Sequence, residues 1–207
     1  MYKILIMGPQ GAGKGTQAEL LAKELNIPAI SAGALLRKEV TEKTDLGYEV
    51  AKYTESGTLV PDELMIEIIK SRLNHPDAAN GWILDGFPRI LSQAELFLEA
   101  VKPTHAVLLE ISDEQSLERL AGRLQCANCH RGYQEKHKTI HPVCEACGGE
   151  LVKRSDDTPE LIKQRLEIYH TETEPVAKRF EEMGILNRVD GSGTIEEVAT
   201  IVNKIFI

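Results

Sequence analysis

Short aliphatic runs alternate with amphipathic helical stretches along this chain, and that alternation predicts an α/β protein on a doubly wound, five-stranded parallel sheet. Two further observations support the prediction. A glycine-rich run begins at Gly8, directly after the first aliphatic segment, and the third segment ends on an acid, Asp85. Ligands of such sheets bind beyond the carboxyl ends of the strands, where both features fall.

Taken in order, Ile4 to Met7 reads as a strand buried on both faces, and Gln17 to Leu25 as the helix that follows. Ala29 and Ile30 form a shorter strand candidate. Trp82 to Leu84, Ala106 to Ile111 and Ile185 to Val189 complete the set of five. Between them, Leu64, Ile68 and Ile69, then Leu96, Phe97 and Ala100, then Leu117, Leu120 and Leu124 recur at helical spacing. Asp157-Thr158-Pro159-Glu160 is a helix start: a capping side chain, a proline in the first turn and an acid three places after Asp157. Pro175 is expected to interrupt that helix. Residues 31–60 hold helical pieces punctuated by Gly33, Gly47 and Gly57 without a convincing strand, and read as a small helical insertion. Residues 124–153 are rich in Cys, His and Gly and too long for an ordinary connecting loop.

The 207 residues suit one domain carrying small insertions, with ample length for an apolar core. A formal charge of -8 argues against a general nucleic-acid binder, whose footprint is basic. Tyr2 and Lys3 lead straight into the first strand without a signal peptide, and no apolar run reaches membrane-spanning length. The expectation is a soluble, cytoplasmic protein with neither nucleic-acid nor membrane partners.

Gly8-Pro9-Gln10-Gly11-Ala12-Gly13-Lys14-Gly15-Thr16 reads as a phosphate cradle. Side chains must be absent from such a turn so that consecutive backbone N–H groups can close on polyphosphate oxygens. The helix beginning near Lys14 adds the positive end of its dipole, and the Lys14 ammonium can reach the β and γ phosphates. ATP or a similar nucleotide is the expected ligand. The general pattern has Ser or Thr directly after the lysine as a magnesium ligand, whereas here Gly15 intervenes before Thr16, so direct coordination by the loop hydroxyl is not expected.

Cys126-x-x-Cys129 and Cys144-x-x-Cys147 are the only four cysteines, two knuckles separated by fourteen residues, and they read as a structural zinc site. Disulfides are disfavoured in a reducing cytosol. Cys126 to His130 matches the haem-attachment spacing, but haem leaves the second knuckle unexplained. His130, His137 and His141 are alternative nitrogen ligands, read as polar residues of an exposed flap. Four thiolates leave the metal no open position, so its task is folding rather than catalysis.

Trp82-Ile83-Leu84-Asp85-Gly86-Phe87-Pro88-Arg89 ends a strand with an acid, a glycine and an arginine; Asp85 can orient magnesium or its waters, and Arg89 can grip a phosphate bidentately. Together with Ser31 to Arg37, Gln93, Arg119, Arg123, Arg154-Ser155-Asp156-Asp157, Arg165 and Val189-Asp190-Gly191, these motifs make the chain resemble the adenylate kinases over essentially its whole length. The resemblance implies a P-loop NTPase core (1–30, 61–122 and 158–207), a nucleoside-monophosphate-binding insertion (31–60) and a zinc-bearing lid (123–157). It implies a monomer that uses MgATP and AMP. Gly8, Gly11, Ala12, Gly13, Lys14, Gly15 and Thr16 would bind ATP together with Arg119 and Arg123. Ala32, Arg37, Gly86, Arg89, Gln93, Arg154 and Arg165 would face AMP, with Gln93 on the adenine. Lys14, Asp85, Arg89, Arg123, Arg154 and Arg165 would serve the transfer itself.

The chemistry agrees. A phosphate acceptor needs no general base, because its second pKa is about 6 and it is already anionic at neutral pH. The difficulty is bringing several anions together, which arginines and magnesium answer. Ser31-Ala32-Gly33-Ala34 departs from the Ser-Thr-Gly-Asp common in adenylate kinases, and Ala32 resembles the UMP/CMP kinases, which stand as the alternative. Gln93 can offer both donor and acceptor to an adenine edge, and favours AMP.

Overall fold

A computed structural model describes residues 1–56, 58, 60–138, 140–154 and 157–207, with 54–56 and 136–137 as backbone alone. Gly57 and the Ser155-Asp156 pair lie outside the described residues, as does the His137 side chain.

The chain opens with β1 (Tyr2–Met7), α1 (Lys14–Leu25) and β2 (Ala29–Ser31). Three helices follow: α2 (Ala32–Glu42), α3 (Asp45–Ser56) and α4 (Asp62–Leu73). Ser31 ends β2 and caps α2, its hydroxyl accepting from the Ala34 N–H, so one residue turns the chain from sheet to helix. Gly47 is required where α3 meets α2, because a Cβ there would collide with the Glu39 carbonyl. Then come β3 (Gly81–Asp85), α5 (Leu91–Ala100), β4 (His105–Glu110) and α6 (Asp113–Ala121), the last held by a Ser112–Gln115 capping box.

A separate antiparallel sheet follows: β5 (Arg123–Cys126) lies between β6 (Gly132–Gln134) and β7 (Leu151–Val152), with the short α7 (Glu135–Lys138) after β6. The chain returns through α8 (Pro159–Ile168), a π turn (Tyr169–Thr173), α9 (Glu174–Glu182), β8 (Leu186–Asp190) and α10 (Ile195–Asn203).

The five strands of the larger sheet are all parallel, in the order β2-β3-β1-β4-β8. From β1 the chain passes to the edge strand β2, returns to β3 beside β1, and then crosses to build the other side with β4 and β8, so the loops after β1 and β3 diverge and open a crevice at their carboxyl ends. The continuous aliphatic runs follow from burial on both faces. Leu5, Met7 and Leu84 meet Phe97, Val176 and Phe180 on one face; Ile4, Ile6 and Ile83 meet Leu21, Val198 and Val202 on the other. Among the described residues no helix is long and apolar enough to cross a membrane.

The predicted strands all form, with ends shifted by a residue or two. Ile111 lies past the end of β4, and Asp190 extends β8. Three expectations need correction. Leu124 does not continue the helix of Leu117 and Leu120: α6 stops at Ala121, Gly122 is its C-cap, and Leu124 is buried in the small sheet with Cys126, Cys144 and Leu151. Thr158, not Asp157, caps α8, its hydroxyl accepting from the Leu161 N–H, because the Asp157 carboxylate is committed elsewhere. Pro175 marks a widened turn instead of a break, with the Glu174 N–H bonding back to the Tyr169 carbonyl, five residues away.

Candidate active site

The loop after β1 is shaped by close approach. At Gly8 (φ 137°) a Cβ would collide with the Leu109 carbonyl of the neighbouring strand, so only glycine lets the chain leave the sheet here. Gly13 (φ 84°) is the N-cap of α1 and has no side chain to offer, leaving the first amides of the helix pointed into the crevice. Lys14 curls back along the loop, its ammonium donating to the carbonyls of Gly8 (2.9 Å) and Pro9 (2.7 Å). Burial lowers its pKa from 10.5 to about 8; Asp85 opposes the shift, while Arg89, Arg123 and Arg154 reinforce it. The loop after β1, the loop after β3, Arg123 and Arg154 are therefore close enough for their charges to act on Lys14 together.

Asp85 ends β3 opposite the loop. Burial pushes its carboxyl up, and Lys14, Arg89, Arg37 and the Ser31 hydroxyl pull it back. Its Oδ1 is buried without a hydrogen-bond partner among the described residues, a polar atom suited to a cation or its water shell. A Cβ on Gly15 would lie 3.5 Å from Asp85 Oδ2, so the glycine in place of the usual hydroxyl residue keeps that side of the carboxylate open.

Arg89 is anchored three times: its N–H donates to Gln93 Oε1 (3.0 Å), its Nε to the Gly86 carbonyl (3.0 Å), and its own carbonyl accepts from the Thr173 hydroxyl (2.8 Å). Gln93 is buried, with its oxygen directed at that backbone and one lone pair of it already used. Arg37 lies over the start of α2, where Gly33 makes room: a Cβ would sit 3.1 Å from Arg37 Nη1. Ala32 is buried in the core cluster with Leu84 and Phe87. Thr16 is exposed at the head of α1.

At the start of the small antiparallel sheet, Arg123 makes a bidentate pair with Asp157, through Nε to Oδ2 (2.7 Å) and Nη2 to Oδ1; Arg165 Nη1 stands 3.8 Å from the same carboxylate. Arg119 reaches across to the carbonyls of Gly11 (3.3 Å), Gly191 (3.0 Å) and Ser192 (3.0 Å), tying the phosphate loop to the turn after β8. Lys14, Gly86, Arg89 and Arg165 line one pocket with Gly8 and Thr173.

A family model described as adenylate kinase matches residues 6–185. The chain is similar to adenylate kinases named as such from Clostridium tetani (42% identical, covering 98% of this chain and 97% of that one) and Streptomyces avermitilis (43%, 95% and 93%). It is also similar to one from Carboxydothermus hydrogenoformans (42%, 98% and 99%).

The chain belongs to the adenylate kinase family.

In this member the segment between β5 and β7 carries a four-cysteine cluster. The Sγ atoms of Cys126, Cys129, Cys144 and Cys147 all lie within 4.8 Å of one another. Cys126 to Cys147 and Cys129 to Cys144 are each 3.5 Å apart, too long for a disulfide of about 2.05 Å and close to the ~3.8 Å edge of a tetrahedron with 2.3 Å metal–sulfur bonds. The first knuckle is set by the N–H groups of Asn128 and Cys129 pointing at Cys126 Sγ, the second by Gly148 in the left-handed region (φ 72°). The Tyr133 hydroxyl, 3.1 Å from Cys144 Sγ, draws that thiol down to about 6. His130 Nδ1 is engaged with Gln125 and His141 with Glu145, so neither joins the cluster. Arg131, just past the first knuckle, pairs with Glu19 of α1 at 2.7 Å and holds the small sheet against the core.

Three residues whose long-range contacts hold these elements together escaped the sequence reading: Asp157, Thr173 and Arg131. Asp157 was legible as a helix start and as the end of the Arg154 to Asp157 motif but not as the partner of Arg123, and nothing local marks Thr173 or Arg131, because each acts on a partner distant in sequence.

Proposed function

We propose that the protein catalyses reversible phosphoryl transfer from ATP to AMP, giving two ADP, and that the residues converging between the phosphate loop and Asp157 carry the reaction. The observation that carries this reading is the convergence on Lys14 of Arg89, Arg123 and Arg154 beside Asp85, in a chain of this family. The loop amides and Lys14 take the β and γ phosphates of ATP, with Arg119 bracing the loop. Arg37 and Arg89 hold the acceptor phosphate, with Gln93 beneath the adenine. Arg123 and Arg165, aligned by one carboxylate, and Arg154 surround the transferring group, whose charge in the transition state is spread over its equatorial oxygens.

Asp85, with a buried oxygen that has no partner among the described residues, is the residue that would hold magnesium or its waters. That ion supplies charge neutralisation between the phosphates. No protein base is needed, because the attacking oxygen of AMP is already anionic. The core is 1–30, 61–122 and 158–207; the insertion at 31–60 and the lid at 123–157 close over the substrates and exclude the water that would hydrolyse ATP. The cysteine cluster holds zinc and staples the lid. The protein acts as a soluble cytoplasmic monomer.

Gln93, which can offer both donor and acceptor to an adenine edge, favours AMP as acceptor, whereas Ala32, buried in the core cluster, is the feature shared with UMP/CMP kinases. A coupled assay of ADP formation from ATP with AMP, CMP, UMP or GMP tests the reading. AMP is expected to be turned over fastest; faster turnover of CMP or UMP reverses the acceptor assignment, and no turnover of any of the four refutes the reaction.

A further inference from the structure

The π turn between α8 and α9 has a consequence for the acceptor site. An unbroken α-helix accommodates Pro175 poorly, since proline has no N–H to offer the fourth residue back and its ring presses on that carbonyl. The chain answers with a wide turn over Tyr169–Thr173, closed by the bond from the Glu174 N–H to the Tyr169 carbonyl. One extra residue in the turn changes which way the side chains at its end point. Thr173, only 7% exposed, directs its hydroxyl at the carbonyl of Arg89, 84 residues earlier, at 2.8 Å.

From this geometry we propose that Thr173 is a positioning residue for the acceptor phosphate, acting through Arg89. The Arg89 backbone is gripped on both sides, its N–H by Gln93 and its carbonyl by Thr173. Those two bonds fix the plane from which the guanidinium extends, and the third, from Nε to Gly86, fixes its first nitrogen. Thr173 is a few residues past the end of α8, which carries Arg165 at its last turn. The hydroxyl therefore also ties the phosphate-gripping loop to the helix that brings Arg165 to Asp157. Threonine suits the place because a hydroxyl donor and a methyl are both buried there, whereas valine would fill the same volume and leave the Arg89 carbonyl without that donor.

This proposal rests on the reading that Arg89 binds the acceptor phosphate, and the test separates the two. KM for AMP, KM for ATP and kcat are measured for Thr173→Val, Thr173→Ser and Arg89→Lys. Loss of one positioning hydrogen bond is expected to raise KM for AMP about fivefold to tenfold in Thr173→Val. KM for ATP is expected to move less than about twofold, and Thr173→Ser to recover most of the loss. Equal changes for both substrates, no change, or a serine variant as impaired as valine each overturn the role of the hydroxyl. If Arg89→Lys leaves KM for AMP unaltered, the assignment of Arg89 falls instead, and the proposal with it. Melting temperatures of all three variants identify any that are merely unfolded, and a Thr173→Val variant folded at the assay temperature gives the decisive values.

Discussion

On the proposal that the four-cysteine cluster holds zinc, replacing Cys129 by alanine isolates what that metal would contribute to the small antiparallel sheet. Of the four cysteines, Cys126 and Cys144 are buried in the small core of the antiparallel sheet, whereas Cys129 and Cys147 are exposed. Truncating Cys129 therefore removes a ligand with little loss of packing. The lid has few other means of ordering itself. Besides two of the cysteines, its buried apolar side chains among the described residues are Leu124 and Leu151, worth about 1.5–3 kcal/mol each. A structural zinc contributes on the order of 10 kcal/mol or more. Shared over four thiolates, this is about 2–4 kcal/mol per ligand, so zinc affinity is expected to fall roughly 10²- to 10³-fold in Cys129→Ala.

Metal content after dialysis against a chelator, paired with amide exchange, reads the outcome. The parent should keep one zinc per chain and protected amides in β5, β6 and β7. The variant should lose its zinc and that protection while β1, β3 and β4 stay protected. Turnover should fall with lid order, because Arg123 lies on β5 and Arg154 just beyond β7. A parent that carries iron or no metal while its lid amides are protected refutes the reasoning, as does a variant that keeps zinc through the same dialysis.

The Lys14 ammonium, with its pKa lowered to about 8, is charged below that pH and neutral above it, so kcat/KM for ATP should fall about tenfold per unit as pH rises beyond 8. Saturating kcat should hold to higher pH, since bound phosphate favours the charged form; a flat kcat/KM from pH 7.5 to 9.5 contradicts this. Asp157→Asn leaves Arg123 and Arg165 without their shared counter-charge, and losing an aligning charge-assisted hydrogen bond worth about 1.5–3 kcal/mol should lower kcat roughly tenfold to hundredfold. Turnover within threefold of the parent counts against Asp157 as the aligning group. Arg131→Ala breaks the pair with Glu19, which is a third or more exposed on each side and worth below about 1 kcal/mol. Its effect on kcat should stay within about fivefold and shrink in high salt; a larger, salt-independent effect means Arg131 does more than hold the lid to the core.

The parallel sheet, the phosphate loop and the two cysteine knuckles were legible in the sequence because each is written locally. A strand buried on both faces must be aliphatic throughout, as Ile4 to Met7 is. A backbone that passes hard against Leu109 must be glycine, and two Cys-x-x-Cys turns can serve one tetrahedral ion wherever they meet. Leu124 was misplaced for the converse reason: helical spacing alone cannot tell the last turn of α6 from the first strand of the lid, and the decision lay with the core that Leu124 joins.

Tertiary structure alone decided how the arginines are held. Nothing near Asp157 in sequence announces that it will accept from Arg123, 34 residues earlier, instead of capping the helix beside it. Nor does the pattern around Pro175 say that a widened turn will carry Thr173 to the Arg89 carbonyl. A residue type and its spacing fix which local conformation is cheapest, so composition and pattern determined the sheet, the phosphate loop and the knuckles. Which charge meets which carboxylate depends on chain segments that become neighbours only when both faces of the sheet are covered, and that placement sets the electrostatics of the cleft.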